Sequence, residues 1–305
     1  MSGTLNSKSK KRALLLLSII AGLSFLLIFG LFWLAPRFIV KTQWGNSVSL
    51  PGNYLDSLVG ETLDISSFDG TILKAVYFPA DSGKSNTTMI LLHGIRGTKE
   101  RRFAMAKWYN KNGYNALALD LRAHGESGGK FCTYGYKEKR DIKEVITFLL
   151  TKYPETQAIG IHGRSLGGAI AIQAMEIDDR IKFGIIESAF ADLGEVVFEY
   201  QKRIMKVGFP RLTRLTLKRA GKIAGFHPKE VKPEKSAQNV TAPVMITHGE
   251  MDKHITPNHS NRIFKSLASR YKTLVIIPGA TQTSMWQQGG EKYRSQILTF
   301  VERAL

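Results

Sequence analysis

The sequence predicts an α/β domain: a mostly parallel sheet flanked by helices, interrupted by an inserted helical cap and preceded by one transmembrane helix. Three observations carry the prediction. Short apolar runs alternate with helix-period segments from Ile72 to the C-terminus, the order that builds βαβ units. The alternation breaks over residues 191–240, where the chain turns basic and helical. An uncharged run from Ala13 to Pro36, rich in Leu, Ile and Phe, stands near the N-terminus.

That run is the first element. About 20 apolar residues span a bilayer as a helix. It is longer than the apolar core of a cleaved signal peptide, and Leu34-Ala35-Pro36 is a poor exit site. Lys8, Lys10, Lys11 and Arg12 precede it, whereas only Arg37 and Lys41 follow closely. The positive-inside rule then predicts a basic cytoplasmic tail over 1–12, a membrane anchor over 13–36 and a main domain on the extracytoplasmic side. Residues 37–65 read as a connector, and 66–305 as the folded domain.

Within the domain, Ile72–Phe78, Thr88–His93, Asn115–Asp120, Gln157–His162, Phe183–Glu187, Pro243–His248 and Thr273–Pro278 read as strands. Between them, Lys99–Asn112, Tyr136–Tyr153, Gly167–Met175, Thr256–Tyr271 and Glu291–Leu305 read as helices. Tyr136–Tyr153 is the clearest, with Ile142, Val145, Ile146, Leu149 and Leu150 on one face. The basic stretch 191–240 reads as a lid inserted over the site, with Val196, Val197, Ile204 and Leu215 as its apolar positions.

Composition narrows the function classes. The 305 residues are 43% hydrophobic and 22% charged, as in a globular chain with a full core. The single cysteine, Cys132, excludes an internal disulfide framework and a cysteine-cluster zinc site. Net charge is +18, and Tyr200–Ser236 holds eleven Lys or Arg against Glu230 and Glu234. That patch is either a solvated helical face or a surface for anionic lipid beside the anchor. No nucleic-acid motif accompanies it, so no nucleic-acid partner is expected.

The residues that carry chemistry follow the strands, at the edge where open α/β sheets bind ligands. Gly163-Arg164-Ser165-Leu166-Gly167 stands between the run Ala158–His162 and an Ala/Gly-rich helix start. G-x-S-x-G in that context is a strained strand-to-helix turn presenting a nucleophilic serine. His93-Gly94-Ile95-Arg96-Gly97 follows an earlier strand. The backbone N–H groups of Ile95 and Leu166 are the candidate donors to a developing oxyanion.

His93-Gly94, the D-x-R-x-H-G-x-S run Asp120–Ser127, the G-R-S-L-G-G run Gly163–Gly168 and the H-G-x-x-D run His248–Asp252 together resemble the α/β-hydrolase superfamily. More narrowly they are similar to its serine-aminopeptidase-like and membrane-anchored BEM46-like branches. The resemblance covers about residues 60–305. It implies an α/β-hydrolase fold and hydrolysis of esters or amides through an acyl-serine, without metal or organic cofactor. It implies that Asp252 is the acid of a triad and that Asp120–Ser127, His124 included, shapes the site without acting in catalysis. The substrates expected are small acyl compounds, lipids or peptides.

The chain departs from that pattern at one position. Where the family carries its histidine base, this sequence reads Gly279-Ala280-Thr281-Gln282, and no histidine follows His259. An amide cannot take a proton from serine at neutral pH, and a serine without an adjacent base is a weak nucleophile. Three readings stay open: a catalytically silent pseudo-hydrolase serving as a membrane-attached binding or scaffold protein, a substitute base of which His254 is the best candidate, or an otherwise intact hydrolase altered at Gln282.

Overall fold

The computed structural model describes residues 7–43, 60–81 and 85–305. The first six residues of the predicted tail and residues 44–59 of the predicted connector lie outside it.

Eight strands form one sheet in the order β1-β2-β4-β3-β5-β6-β7-β8. They are β1 (Glu61–Ser66), β2 (Ile72–Phe78), β3 (Thr87–Leu92), β4 (Asn115–Leu119), β5 (Ala158–Arg164), β6 (Ile181–Glu187), β7 (Val244–Gly249) and β8 (Lys272–Ile277). β2 runs antiparallel to β1 and β4, and every other pairing is parallel. β1 falls at the end of the stretch read as a connector. Its alternation, with Leu63 and Ile65 buried between exposed neighbours, marks an edge strand half open to water.

Helices cover both faces, which is why the central strands are buried at nearly every position. Ile90 and Leu92 of β3 point to one core, with α3 (Glu138–Lys152) and α4 (Leu166–Met175) packed there. Met89 and Leu91 point to the other, against α2 (Phe103–Lys111) and α9 (Met285–Ala304). The short α7 (Pro233–Ala237) and α8 (Pro257–Ser266) join the first face. α9 starts six residues earlier than the periodicity predicts, and Gly290 at φ 54° breaks it near its start.

Besides α7, two longer helices occupy the interrupting segment: α5 (Leu193–Met205) and α6 (Pro210–Ala224). Asp192 caps α5 by accepting the N–H of Glu195. The N-terminal run lies in α1 (Ser7–Val40). Its side chains at 25–28, 31 and 32 lie outside the described set, and among the described residues no helix is long and apolar enough to cross a membrane. The C-terminal end of α1 is docked on the domain. Val40 is buried, its carbonyl accepts the N–H of Cys132, and Ile39 O accepts the Tyr134 hydroxyl.

Candidate active site

β5 ends at Arg164 and α4 begins at Leu166, so Ser165 alone makes the turn between them. Its backbone sits at φ 55°, ψ −116°, a conformation that costs a non-glycine residue about 1–3 kcal/mol. Two neighbours must be glycine for the turn to close. A Cβ on Gly163 would stand 2.2 Å from the carbonyl oxygen of Gly167, and one on Gly167 would meet the Leu92 and His93 carbonyls at 2.7 Å. Ser165 N–H donates to Glu187 O at 2.7 Å, fixing the elbow to the next strand.

Beside it, the turn Gly94–Gly97 is closed by a hydrogen bond from Gly97 N to Gly94 O, with Arg96 at φ 56°. Gly94 lies against Ser165, close enough that a Cβ there would be 3.4 Å from the serine Cβ. Among the described residues no hydrogen bond engages the N–H of Ile95 or of Leu166. His93 supports this turn from beneath. Leu121 N–H donates to its Nε2, so the ring proton sits on Nδ1 and is given to Gly94 O. Burial, with His124 beside it, holds the His93 imidazole well below its ordinary pKa and therefore neutral.

Gln282 follows β8 and reaches the serine: its Nε2 donates to Ser165 Oγ at 3.3 Å. That is the one hydrogen bond at Oγ among the described residues. Both groups are half-buried. Asp252 follows β7 and is buried. Its Oδ1 accepts the N–H groups of His254 and Ile255 at 2.8 and 3.1 Å. Its Oδ2 is buried without a hydrogen-bond partner. The nearby His248 Nε2 is 3.5 Å away but bonds to Ile255 O at 2.8 Å. His254 supplies its backbone to Asp252, while its exposed ring lies beside Tyr200, with centroids 6.1 Å apart.

The Asp120–Ser127 loop is a polar knot under the site. Asp120 accepts from Lys99 N, Lys99 Nζ and Glu126 N, and Ser127 Oγ donates to Asp120 O. Arg122 pairs with Asp141 through two nitrogens and with Asp69. His124 Nδ1 bonds to Arg122 O, and burial lowers the pKa of its ring.

One group escaped the sequence reading. Glu187, at the end of β6, is buried beneath the elbow, and its register partner on β5 is Arg164. Its carboxylate accepts from Tyr293 Oη at 2.9 Å and Arg164 Nε at 3.3 Å, with His162 Nε2 at 3.2 Å and Arg102 Nη1 at 3.8 Å. Burial pushes this carboxyl up, but His162, Arg164 and Arg102 outweigh that and hold it below the usual carboxylate range. The available signal was a glutamate ending a strand otherwise apolar apart from Lys182.

Glu195, Glu199 and His259 also converge. His259 Nδ1 accepts the N–H of Ala191, so its Nε2 carries the proton and gives it to Glu199 at 3.0 Å. Arg262 takes Glu195. An imidazole so engaged has no lone pair for a metal, and the cluster instead ties α5 to α8. A cavity of about 1060 Å³ lies at the other end of the sheet, lined by Tyr77, Tyr114, Tyr153 and Asn115. It borders the strands' amino ends, whereas Ser165, Asp252 and Gln282 follow their carboxyl ends.

The sheet order, the strained serine turn and the groups around it define an α/β-hydrolase fold. More particularly, the chain belongs to the prolyl oligopeptidase family, whose profile matches residues 101–300. The Bacillus subtilis protein YqkD is 26% identical over 70% of this chain and 71% of its own length. The Escherichia coli protein YfhR is 24% identical over 82% of this chain and 83% of its own. An esterase of Pyrococcus furiosus superposes with a TM-score of 0.69, at 24% identity, over 87% of this chain and 98% of its own, a likeness of fold.

Proposed function

We propose that the protein is a membrane-anchored serine hydrolase of esters or amides whose turnover is held low by Gln282. Ser165 is the nucleophile, Ile95 and Leu166 N–H hold the oxyanion, and Asp252 is the acid. One observation carries the reading: Asp252 presents a buried, unpartnered Oδ2 while the group hydrogen-bonded to Ser165 is an amide. A serine hydrolase needs an imidazole that donates to the acid and accepts from the serine. The amide donates to the serine instead.

The substrate class follows from position. α1 carries exposed Leu14, Leu15, Leu16, Leu17 and Leu23, and the uncharged run 13–36 is of bilayer-spanning length. With the basic tail in the cytoplasm, the domain faces the other side and meets acyl, lipid or peptide substrates near the membrane. The narrower kinship with serine-aminopeptidase-like and BEM46-like proteins rests on the motifs alone.

A fluorophosphonate probe tests the proposal on the full chain. Weak labelling in the wild type, lost in Ser165→Ala and strengthened in Gln282→His, is the expected pattern. An unlabelled wild type with a labelled Gln282→His puts the protein in the silent, binding class. No labelling in either the wild type or Gln282→His would overturn the site.

A further inference from the structure

The tip of the cap is built inside out. α5 and α6 meet in a tight hairpin over residues 206–209. The turn is firmly made: Lys206 adopts φ 60°, and a Cβ on Gly208 would press on the Phe198 ring at 2.7 Å. Gln201 Oε1 accepts both Phe209 N–H and the Thr213 hydroxyl. Four apolar side chains nonetheless face out. Ile204 is 75% exposed, Val207 54%, Phe209 44% and Met205 39%. Lys202, Lys206, Arg211 and Arg214 surround them and are exposed.

Two contacts orient this tip. α6 packs along α1, and the Arg219 guanidinium lies 3.7 Å from the Trp33 ring centre. α1 is buried at Val40 near its C-terminal end and exposed at Leu14–Leu17 and Leu23, whereas α6 is buried along one face from Thr213 to Ala224 and exposed at Pro210 and Arg211, beside the tip. The hairpin that carries the tip is thus held against the helix that carries the exposed leucines. The second contact reaches the site: Arg203 donates to Lys253 O at 2.9 Å, next to Asp252, and lies over the Tyr200 ring.

We infer that this hairpin tip dips into the interface of an anionic phospholipid bilayer, with Ile204, Val207 and Phe209 below the headgroups and the basic collar among the phosphates. Apolar residues rimmed by Lys and Arg are the composition that partitions to such an interface. A second protein surface would have to match both the apolar centre and the positive ring. Insertion sets the loop that carries Asp252 one residue from a membrane-seated arm. The cleft then receives amphiphilic esters or amides from the lipid side. This rests on the anchored-hydrolase reading above, with α1 bringing the tip to the membrane.

The sole native cysteine, Cys132, is buried, so single labels can be placed elsewhere. Full-length protein carrying a nitroxide at Val207→Cys, Leu16→Cys or Lys292→Cys is reconstituted in phosphatidylcholine/phosphatidylglycerol vesicles. Accessibility to oxygen is compared with accessibility to a water-soluble nickel chelate. The Val207→Cys label should show an oxygen-to-nickel ratio several-fold above that of Lys292→Cys, falling when phosphatidylglycerol is omitted. A water-like Val207→Cys beside a membrane-buried Leu16→Cys overturns the tip and leaves the anchor standing. Water-like values at both positions overturn both. Dipolar broadening between Val207→Cys labels would assign the patch to a second copy of the chain and refute the inference.

Discussion

Replacing Gln282 by histidine should convert the site. The two side chains place Nε2 at similar distances from Cα, and the glutamine Nε2 is already 3.3 Å from Ser165 Oγ. In the proposed triad the imidazole Nδ1–H goes to Asp252 Oδ2, the buried oxygen that has no partner. General-base assistance contributes about 10²–10⁴-fold, or about 3–5 kcal/mol of barrier at 1.36 kcal/mol per tenfold. Hydrolysis of an activated ester such as a p-nitrophenyl acyl ester should rise by that factor. The gain should appear as pH climbs through about 6.5, where an ordinary imidazole loses its proton and can accept one from serine. The wild type, having no base there, should lack that inflection. Asp252→Asn sharpens the test. In the wild type it should leave the residual rate nearly unchanged, since Oδ2 orients nothing and the Asn oxygen still receives the two loop N–H groups. In the Gln282→His background the same change should cost up to about 10⁴-fold. The dependence of one substitution on the other is the signature of a unit. A folded Gln282→His whose rate and labelling match the wild type at every pH would refute the reasoning.

Three further outcomes follow. Gly163→Ala should lower the urea midpoint by an amount equivalent to about 3 kcal/mol or more, because the new Cβ would stand 2.2 Å from a backbone oxygen that has no freedom to move; an unchanged midpoint refutes the elbow's packing. Glu187→Gln should cost about 3–5 kcal/mol at pH 7 by leaving Arg102 and Arg164 without their carboxylate. Glu187 is held below its ordinary pKa, so its contribution is full above about pH 4.3 and is lost as pH falls towards the folded value; the difference from wild type should shrink on acidification. His254→Ala should leave fluorophosphonate labelling intact, since the ring faces Tyr200, and a loss of all labelling would make His254 the base.

Much of this molecule was legible along the chain. Seven strands fell close to their predicted limits because the runs were apolar on both faces and bounded by glycine or polar turns. β1 was missed for the opposite reason. As an edge strand with one wet face, Glu61–Ser66 carries only Leu63 and Ile65 as signal. The predicted Lys99–Asn112 helix divides into a 3₁₀ turn at Lys99–Arg102 and α2, because Lys99 N and Nζ are both drawn to Asp120. Ser165, Gln282 and Asp252 were each placed after a strand by spacing, and β5, β8 and β7 deliver them as expected. The Glu187 network could not be read that way. It joins Arg102, Tyr109, His162, Arg164 and Tyr293, which only the sheet register and the packing of α2 and α9 bring together.

That buried network also bears on why the elbow holds its shape with a glutamine at position 282. The strain at Ser165 is balanced by what lies below it: the serine N–H on the Glu187 carbonyl, and the Glu187 side chain among two guanidinium groups. None of these groups needs position 282 to be histidine. Asp252 is likewise fixed through Oδ1 alone. A buried acceptor left unsatisfied costs about 1–3 kcal/mol, and the fold carries that cost at Oδ2. Ser165 and Asp252 are thus positioned by separate, self-sufficient contacts. A change confined to the loop after β8 can therefore silence or restore the chemistry without disturbing either.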